Sequence, residues 1–329
     1  MLRDGKLKEN ALKRSVLKNI GDKRKDIIAG AGIGNDATIV DFNNEASGNM
    51  VVSSDPILIP CRDSVYYGIV RSLNNIAAKG GEPVGILLSI MLPMNTEEEV
   101  LKEVMNEAKR TADLFGIQIS GGHTEVTGAV NYPIVNITAF GRIQKGAKAA
   151  FRVMPGDEIL LTKWVGLEGT AIITGEKKEE LYKMFPKAFV ERAAGFREYI
   201  SVLEEGHIAA DFGVSCMHDV SSGGVFGALW EMAEGSGVGL DIDLTKIPLR
   251  QETVEICEIY GINPYELQSG GSMLIACNKG EKLLEKFEEE DIPAVIIGNA
   301  TDGSEKILHN DEEIRYLDRP KADELLKIF

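Results

Sequence analysis

The chain has 329 residues, of which 44% are hydrophobic and 26% charged, an ordinary composition for a folded soluble protein that excludes global disorder. At roughly 100–200 residues per domain, the length predicts two domains. With 36 basic against 51 acidic residues the net charge is −15. Phosphate backbones and anionic bilayers are repelled at long range, so neither a nucleic acid nor a membrane is expected as a partner, and a bound nucleotide would need a divalent cation.

The opening stretch, MLRDGKLKENALKRSVLKNIGDKRKD, is polar and lacks the apolar core of a signal peptide. No apolar run approaches the roughly 20 residues that cross a bilayer, and a cytoplasmic location is the expectation. Leu7, Ala11, Val16 and Ile20 stand near helical spacing and predict an amphipathic helix over 7–20. Gly30 to Asp36 reads as a flexible Gly-rich loop that runs into a strand over 37–40. A second strand, 50–54, leads straight into Asp55. Residues 64–79 read as a helix ending at Gly80-Gly81, and Pro83 precedes a long apolar strand, 84–92. Thr96 and Glu99 have the spacing of a capping box. The helix they open places Val100, Val104, Ala108 and Phe115 mostly along one face, with Gly116 as its C-cap. A strand over 117–120 then enters a turn, Gly121 to Glu125, and a strand over 134–140 closes the first half.

The basic, Ala-rich stretch 144–152 and the turn Met154-Pro155-Gly156-Asp157 predict a boundary between domains 1–150 and 151–329. The second half reads as a strand over 158–162, a loop over 166–169, and charged helices across 176–205. A loop at 215–224, a helix over about 223–235, a strand over 273–277, a helix near 280–290 and a strand over 294–297 follow. Both halves mix strands with helices, so the class is α/β or α+β.

Several familiar chemistries are absent. There is no G-x-x-x-x-G-K-[ST] loop, and Gly30 to Gly34 reads G-A-G-I-G, which precedes a strand and does not match G-x-G-x-x-G. Cys61, Cys216, Cys257 and Cys277 form no C-x-x-C pair and read as reduced thiols. What remains is a repeated pattern of short strands ending in Gly-rich or acidic turns: Gly34-Asn35-Asp36, Ser53-Ser54-Asp55, Gly121-Gly122-His123-Thr124, and His218 to Gly224. Strand-end carboxylates can converge on Mg²⁺, which takes one or two of them together with substrate phosphates. Glycines let backbone N–H groups approach phosphate oxygens. Ser221 to Gly224 opens a helix whose free N–H groups make an anion site. Each segment taken singly is also an ordinary turn.

In their order these segments resemble the aminoimidazole-ribonucleotide-synthetase superfamily. Its members include that purine enzyme, thiamine-monophosphate kinase, selenophosphate synthetase and the hydrogenase-maturation dehydratase. The resemblance covers nearly the whole chain. It rests on GIGNDATIV (32–40), VVSSD (51–55), LNNIAAKGGEP (73–83), GGHTEVT (121–127), MPGDEILLTKWVGLEGTAI (154–172), MHDVSSGGVFGALWEMAEGSGVGL (217–240) and LQSGGSMLIA (267–276). The second-half segments are most similar to the hydrogenase-maturation branch.

The resemblance implies N-terminal strands forming a barrel across a homodimer and a C-terminal α/β layer domain. It also implies ATP and Mg²⁺ in a cleft lined by the acidic turns, beneath the N-terminal segment. The implied reaction is ATP-driven phosphorylation of an oxygen on a small-molecule or protein-borne acceptor. Carried over by position, Asp36 and Asp55 match the metal and phosphate carboxylates. Asn74, Asn75, Gly121, Gly122 and Thr124 match nucleotide contacts, and Asp219 with Gly223 and Gly224 matches the substrate-side motif. Asp55, His123 and Asp219 are the implied catalytic groups. Asn35, Asn75 and His123 stand where the family commonly carries an acid, which lowers the negative charge of the site. His123 could bind metal or phosphate, act as a general acid or base, or serve as a structural hydrogen-bonding residue. The chain as given ends LLKIF with its last cysteine at 277, so the dehydratase's reaction on its own C-terminal thiol is not expected. Two other readings stay open: a small-molecule kinase resembling thiamine-monophosphate kinase, and a non-catalytic nucleotide-binding scaffold, the latter suggested by the missing acids.

Overall fold

Two sheets share one central helix in the computed structural model, which describes residues 9, 10, 13, 17, 27–29, 32–35, 37–41, 49–59, 61–143 and 151–329. The expected positions Gly30, Ala31 and Asp36, the residues Leu7, Ala11, Val16 and Ile20 of the opening helix, and the basic stretch 144–150 lie outside the described residues.

The first sheet contains β1 (Ile27–Ala29), β2 (Thr38–Val40), β3 (Asn49–Ile57), β4 (Glu82–Pro93), β5 (Gln118–Thr127) and β6 (Ile134–Ile143), in the order β1-β2-β3-β6-β4-β5. The second contains β7 (Glu158–Thr162), β8 (Cys216–Asp219), β9 (Gly239–Asp243), β10 (Met273–Cys277), β11 (Ala294–Thr301), β12 (Lys306–Asn310) and β13 (Glu313–Tyr316), in the order β13-β12-β9-β11-β7-β10-β8. The class is mixed α/β, as the sequence predicts. Among the described residues no helix is long and apolar enough to cross a membrane.

The helices are α1 (Ser64–Ala77), α2 (Glu98–Leu114), α3 (Leu167–Glu176), α4 (Lys178–Leu181), α5 (Lys187–Ala194), α6 (Leu203–Phe212), α7 (Gly224–Ser236), α8 (Gln251–Tyr260) and α9 (Gly280–Glu289). Helix α2 makes the crossover between the parallel strands β4 and β5.

Helix α1 is apolar around most of its circumference because it serves both halves. Val65, Ile69, Leu73 and Ile76 pack under the first sheet, against Val51, Ile86 and Ile137. Tyr66, Tyr67 and Val70 join Leu167, Ile172 and Val190 of the second half, and Ala77 joins Val202, Met217 and Met273. Where the helix must pass polar backbone, Asn74 supplies the match. Its side-chain amide donates to the Ile200 carbonyl at 2.8 Å and its oxygen accepts from the Val202 N–H at 3.0 Å.

Four local expectations are corrected. Thr96 does not cap α2: its hydroxyl donates to the Pro93 carbonyl, and the helix begins at Glu98, where Glu98 and Glu99 offset the exposed N–H groups. Residues 166–169 are not a loop, because Gly166 takes a left-handed conformation and the helix α3 begins at Leu167. The expected loop at 215–224 contains β8, buried at all four positions and short enough to read as loop. Gly121-Gly122-His123-Thr124 is not a turn but the middle of β5. It is exposed along most of its length, and a register shift at Ile86/Leu87 marks a bulge in its pairing with β4. Glycine is required at 122, since a Cβ there would come within 1.9 Å of the Leu88 carbonyl oxygen.

Candidate active site

Asp55 stands near the end of β3, where its strand faces α1. Asn75, two residues before the end of α1, donates one side-chain amide to both Asp55 Oδ2 (2.6 Å) and Ser53 Oγ (2.9 Å). Ser53 Oγ lies 3.3 Å from the same Asp55 oxygen. The replacement of an acid by Asn75 therefore has a local consequence: an aspartate there would repel Asp55, whereas the amide clamps it. The β2–β3 ladder, with Thr38 opposite Val52, carries the Gly-rich loop 32–35 toward the same end of β3.

That loop packs on α7. A Cβ on Gly34, whose φ is 69°, would come within 2.4 Å of the Glu231 carbonyl. Between the loop and the helix lies a cavity of about 540 Å³, lined by Lys13, Ile28, Gly32, Asn35, Phe151, Cys216 and Met232 among others. Its size suits a small-molecule ligand. Two described N-terminal residues are held on α7: Glu9 accepts from the Trp230 indole at 3.1 Å, and Lys13, which lines the cavity, pairs with Glu234 at 3.0 Å.

The second half closes the site from the other side. Alternation along β8 turns Met217 and Asp219 to one face and Cys216 and His218 to the other. Met217 packs with Ala77 and Ala78, so Asp219, itself buried, lies on the face turned to the end of α1. His218 is buried, with its ring 3.4 Å from Glu231 of α7. Glu168, in the first turn of α3, reaches back to Arg71 of α1 at 3.0 Å and accepts from Gln268 Nε2 at 2.7 Å and the Gly270 N–H at 3.2 Å.

At Gly223-Gly224, where the sequence predicts an anion seat, the Gly223 N–H is taken by the chain itself. Asp323 accepts from the Gly223 N–H at 2.6 Å, from Leu325 at 2.8 Å and from Gln268 at 3.2 Å. Burial raises the Asp323 pKa, with these backbone donors opposing the rise. Gly224, at φ 64°, leaves no room for a Cβ, which would meet the Tyr265 carbonyl at 2.3 Å.

The structure thus brings Asp55, Asn75 and Ser53 together, and packs the Gly32–Asn35 loop on α7. It places Asn74 at the junction of the halves, with both its polar side-chain atoms engaged by backbone. It sets Gly121, Gly122, His123 and Thr124 apart. Asp55 is opposite Ile137, Ile137 opposite Leu88, and Leu88 opposite Gly122. Three strand spacings of ~4.8 Å separate them by about 14 Å within one chain. His123 is exposed, with Nε2 3.2 Å from Glu125. Sequence reasoning missed Arg71, Glu168, Gln268 and Asp323. Only Arg71 had a local signal, standing four residues before Asn75 on the same helix.

Among the described residues no three His, Cys, Asp or Glu side chains are grouped as metal ligands. Asp55 by itself suits Mg²⁺ held largely by the phosphates of a nucleotide. Thiol chemistry at Cys61 is disfavoured: burial, with Glu176 and Glu168 nearby, pushes its pKa up to about 12. At pH 8 its thiolate fraction is then lower by about a thousandfold than that of an ordinary thiol. Iodoacetamide should accordingly modify Cys61 about a thousandfold more slowly than a free cysteine, as peptide mass spectrometry over a time course would show.

Residues 34–143 match the family model of the AIR synthase related protein N-terminal domain, and residues 154–310 match that of its C-terminal domain. The chain belongs to the AIR synthase related proteins. Among the family's curated members, the carbamoyl dehydratase HypE of Rhodobacter capsulatus is 28% identical over 239 residues, covering 69% of this chain and 65% of that protein. The thiamine-monophosphate kinase of Pyrococcus horikoshii is 28% identical over 235 residues, covering 68% and 70%. Relatives in this family are thus ATP-dependent enzymes. The fold agrees. A chain of a HypE–HypF complex superimposes with TM-score 0.74 at 22% identity, covering 94% of this chain and all of that one. A ThiL protein complexed with AMPPCP and TMP superimposes with TM-score 0.72 at 18% identity, covering 94% and 96%. These likenesses establish the AIR synthase architecture for both halves.

Proposed function

We propose that this chain is a Mg²⁺-dependent enzyme that uses ATP to phosphorylate an oxygen of its acceptor, in the manner of the HypE branch. The observation that carries the reading is the Asp55 that Asn75 clamps at the end of β3 toward which the Gly-rich loop and its nucleotide-sized cavity lead. The nucleoside occupies the cavity between loop 32–35 and α7, and Mg²⁺ sits on the phosphates against Asp55 and Asp36. The acceptor, a small molecule or a protein-borne group, enters from the Asp219 and Gln268 side. An acceptor oxygen lone pair forms the new P–O bond as the bond from the γ-phosphorus to the β–γ bridging oxygen breaks, and ADP departs with that electron pair. Release of inorganic phosphate from the activated acceptor distinguishes this course from a kinase reaction, whose product stays phosphorylated.

A homodimer belongs to the same proposal. Among the described residues β5 is an edge strand of its sheet, and Val84, Leu87 and Val126 are exposed apolar side chains on β4 and β5. A second copy against this edge would give the Gly121–Thr124 segment a nucleotide to meet that its own chain does not offer. Calorimetric titration with MgATP tests the central claim. One nucleotide per chain is expected, and absence of both heat and thermal stabilisation would overturn it.

A further inference from the structure

Arg71, Asn75 and Lys79 follow one another at intervals of four, the first two in α1 and the third just past its end. That spacing keeps Arg71 and Asn75 along one side of the helix, with Lys79 in the turn that follows. The middle one holds Asp55. The outer two are cations, and each is imperfectly compensated.

Lys79 is 4% exposed. Among the described residues no carboxylate lies within salt-bridge distance of its ammonium group. Its charge is felt by Cys216, whose pKa burial raises and Lys79 lowers, and Cys216 lines the same cavity as Lys13 and Gly32. At the other end, Arg71 gives one nitrogen to Glu168, while its Nε is buried with no acceptor. Glu168, Asp55 and Asp323 all act on the Arg71 charge. Buried donors and cations left without partners are costly. Such groups persist in an enzyme cleft where a ligand supplies the missing anion. Arg71 stands four helical residues, about 6 Å, before Asn75 and Lys79 follows just past the helix end, which leaves a gap between the two cations at the Asn75–Asp55 pair. Two long side chains can close that gap onto the ends of a triphosphate.

We propose that Lys79 and Arg71 are the phosphate-contacting residues of this chain. Lys79 meets the phosphates nearest the cavity, and Arg71 meets the γ-phosphoryl group on the side facing Glu168 and Gln268. This rests on the ATP reading above and adds a direction to it: the triphosphate runs from the cavity along α1 toward the second sheet. It also gives the missing acids a reason. With Asn75 in place of an acid and protein cations on the phosphates, the site takes one divalent ion per nucleotide.

Calorimetry with MgATP and MgADP on wild type, Lys79→Met and Arg71→Lys tests this, each variant checked by its melting curve. Arg71→Lys keeps a charge opposite Glu168, so folding is retained. Lys79→Met should weaken both nucleotides by at least 10-fold. Arg71→Lys should weaken MgATP by about 10-fold and MgADP by less than threefold, because only ATP carries the group it meets. Titration with Mn²⁺ followed by electron paramagnetic resonance should find one ion per bound ATP. MgATP affinity within threefold of wild type in Lys79→Met, equal losses for both nucleotides in Arg71→Lys, or two ions per ATP would each overturn the proposal. A wild-type chain that binds neither nucleotide would instead remove the ATP reading on which it rests.

Discussion

Asp55→Asn should lower ATP-dependent phosphate release by on the order of 100-fold or more, with little change in folding stability. The substitution keeps shape and keeps an acceptor, since the new amide can turn its oxygen toward the Asn75 side chain that now donates at 2.6 Å to Asp55. What it removes is the negative charge that the proposed site offers a metal-bound triphosphate, and removing one fixed electrostatic group from a phosphoryl-transfer site costs roughly two to three orders of magnitude. Steady-state phosphate release at saturating Mg²⁺, beside the melting temperature of both proteins, is the measurement. Turnover equal to wild type would exclude Asp55 from the chemistry. A melting temperature that fell with activity would mean the clamp is structural.

Glu168→Ala should be the most destabilising single change in the cleft, by about 3–5 kcal/mol, the usual cost of leaving a buried charge without its partner. Three groups depend on this carboxylate: Arg71 at 3.0 Å, the Gln268 side chain at 2.7 Å and the Gly270 N–H at 3.2 Å. Truncation leaves all three without their acceptor, and they belong to α1 and to the segment before β10. The loss should therefore loosen the contact between the halves. Urea unfolding followed by both circular dichroism and tryptophan fluorescence measures it. A loss below about 1 kcal/mol would show that water replaces the carboxylate and that the pair is no structural tie. Glu168→Gln, which keeps an acceptor for Gln268, should fall between the two proteins.

Where a feature depends on neighbours in sequence, the chain announces it. Strand β3 and the placement of Asp55 follow from a short β-branched run that meets an acid. Helix α1 follows from its apolar residues and the Gly80-Gly81 stop, and α7 from glycines leading into Val225, Leu229 and Ala233. The family pattern is legible for the same reason, since its segments are local strand-end motifs kept in order. Arg71 and Lys79 were also in plain view, at four residues either side of Asn75. Their meaning was not, because spacing does not say which charge has a counter-charge.

Only the tertiary structure decided the rest. Gly121 to Thr124 reads as a turn because an edge strand with exposed faces has no apolar alternation to reveal it, and its Gly122 answers to the Leu88 backbone on another strand. Asn74 reads as a ligand contact in the sequence, and only the fold shows that the backbone at 200 and 202 engages both ends of its amide. The seat at Gly223 reads as open until Asp323 arrives from 100 residues away. Short-range periodicity and turn chemistry set the elements, because they act through bonds and the nearest turn. The partners of buried polar groups are chosen by the packing of distant segments, a choice made by the folded chain as a whole.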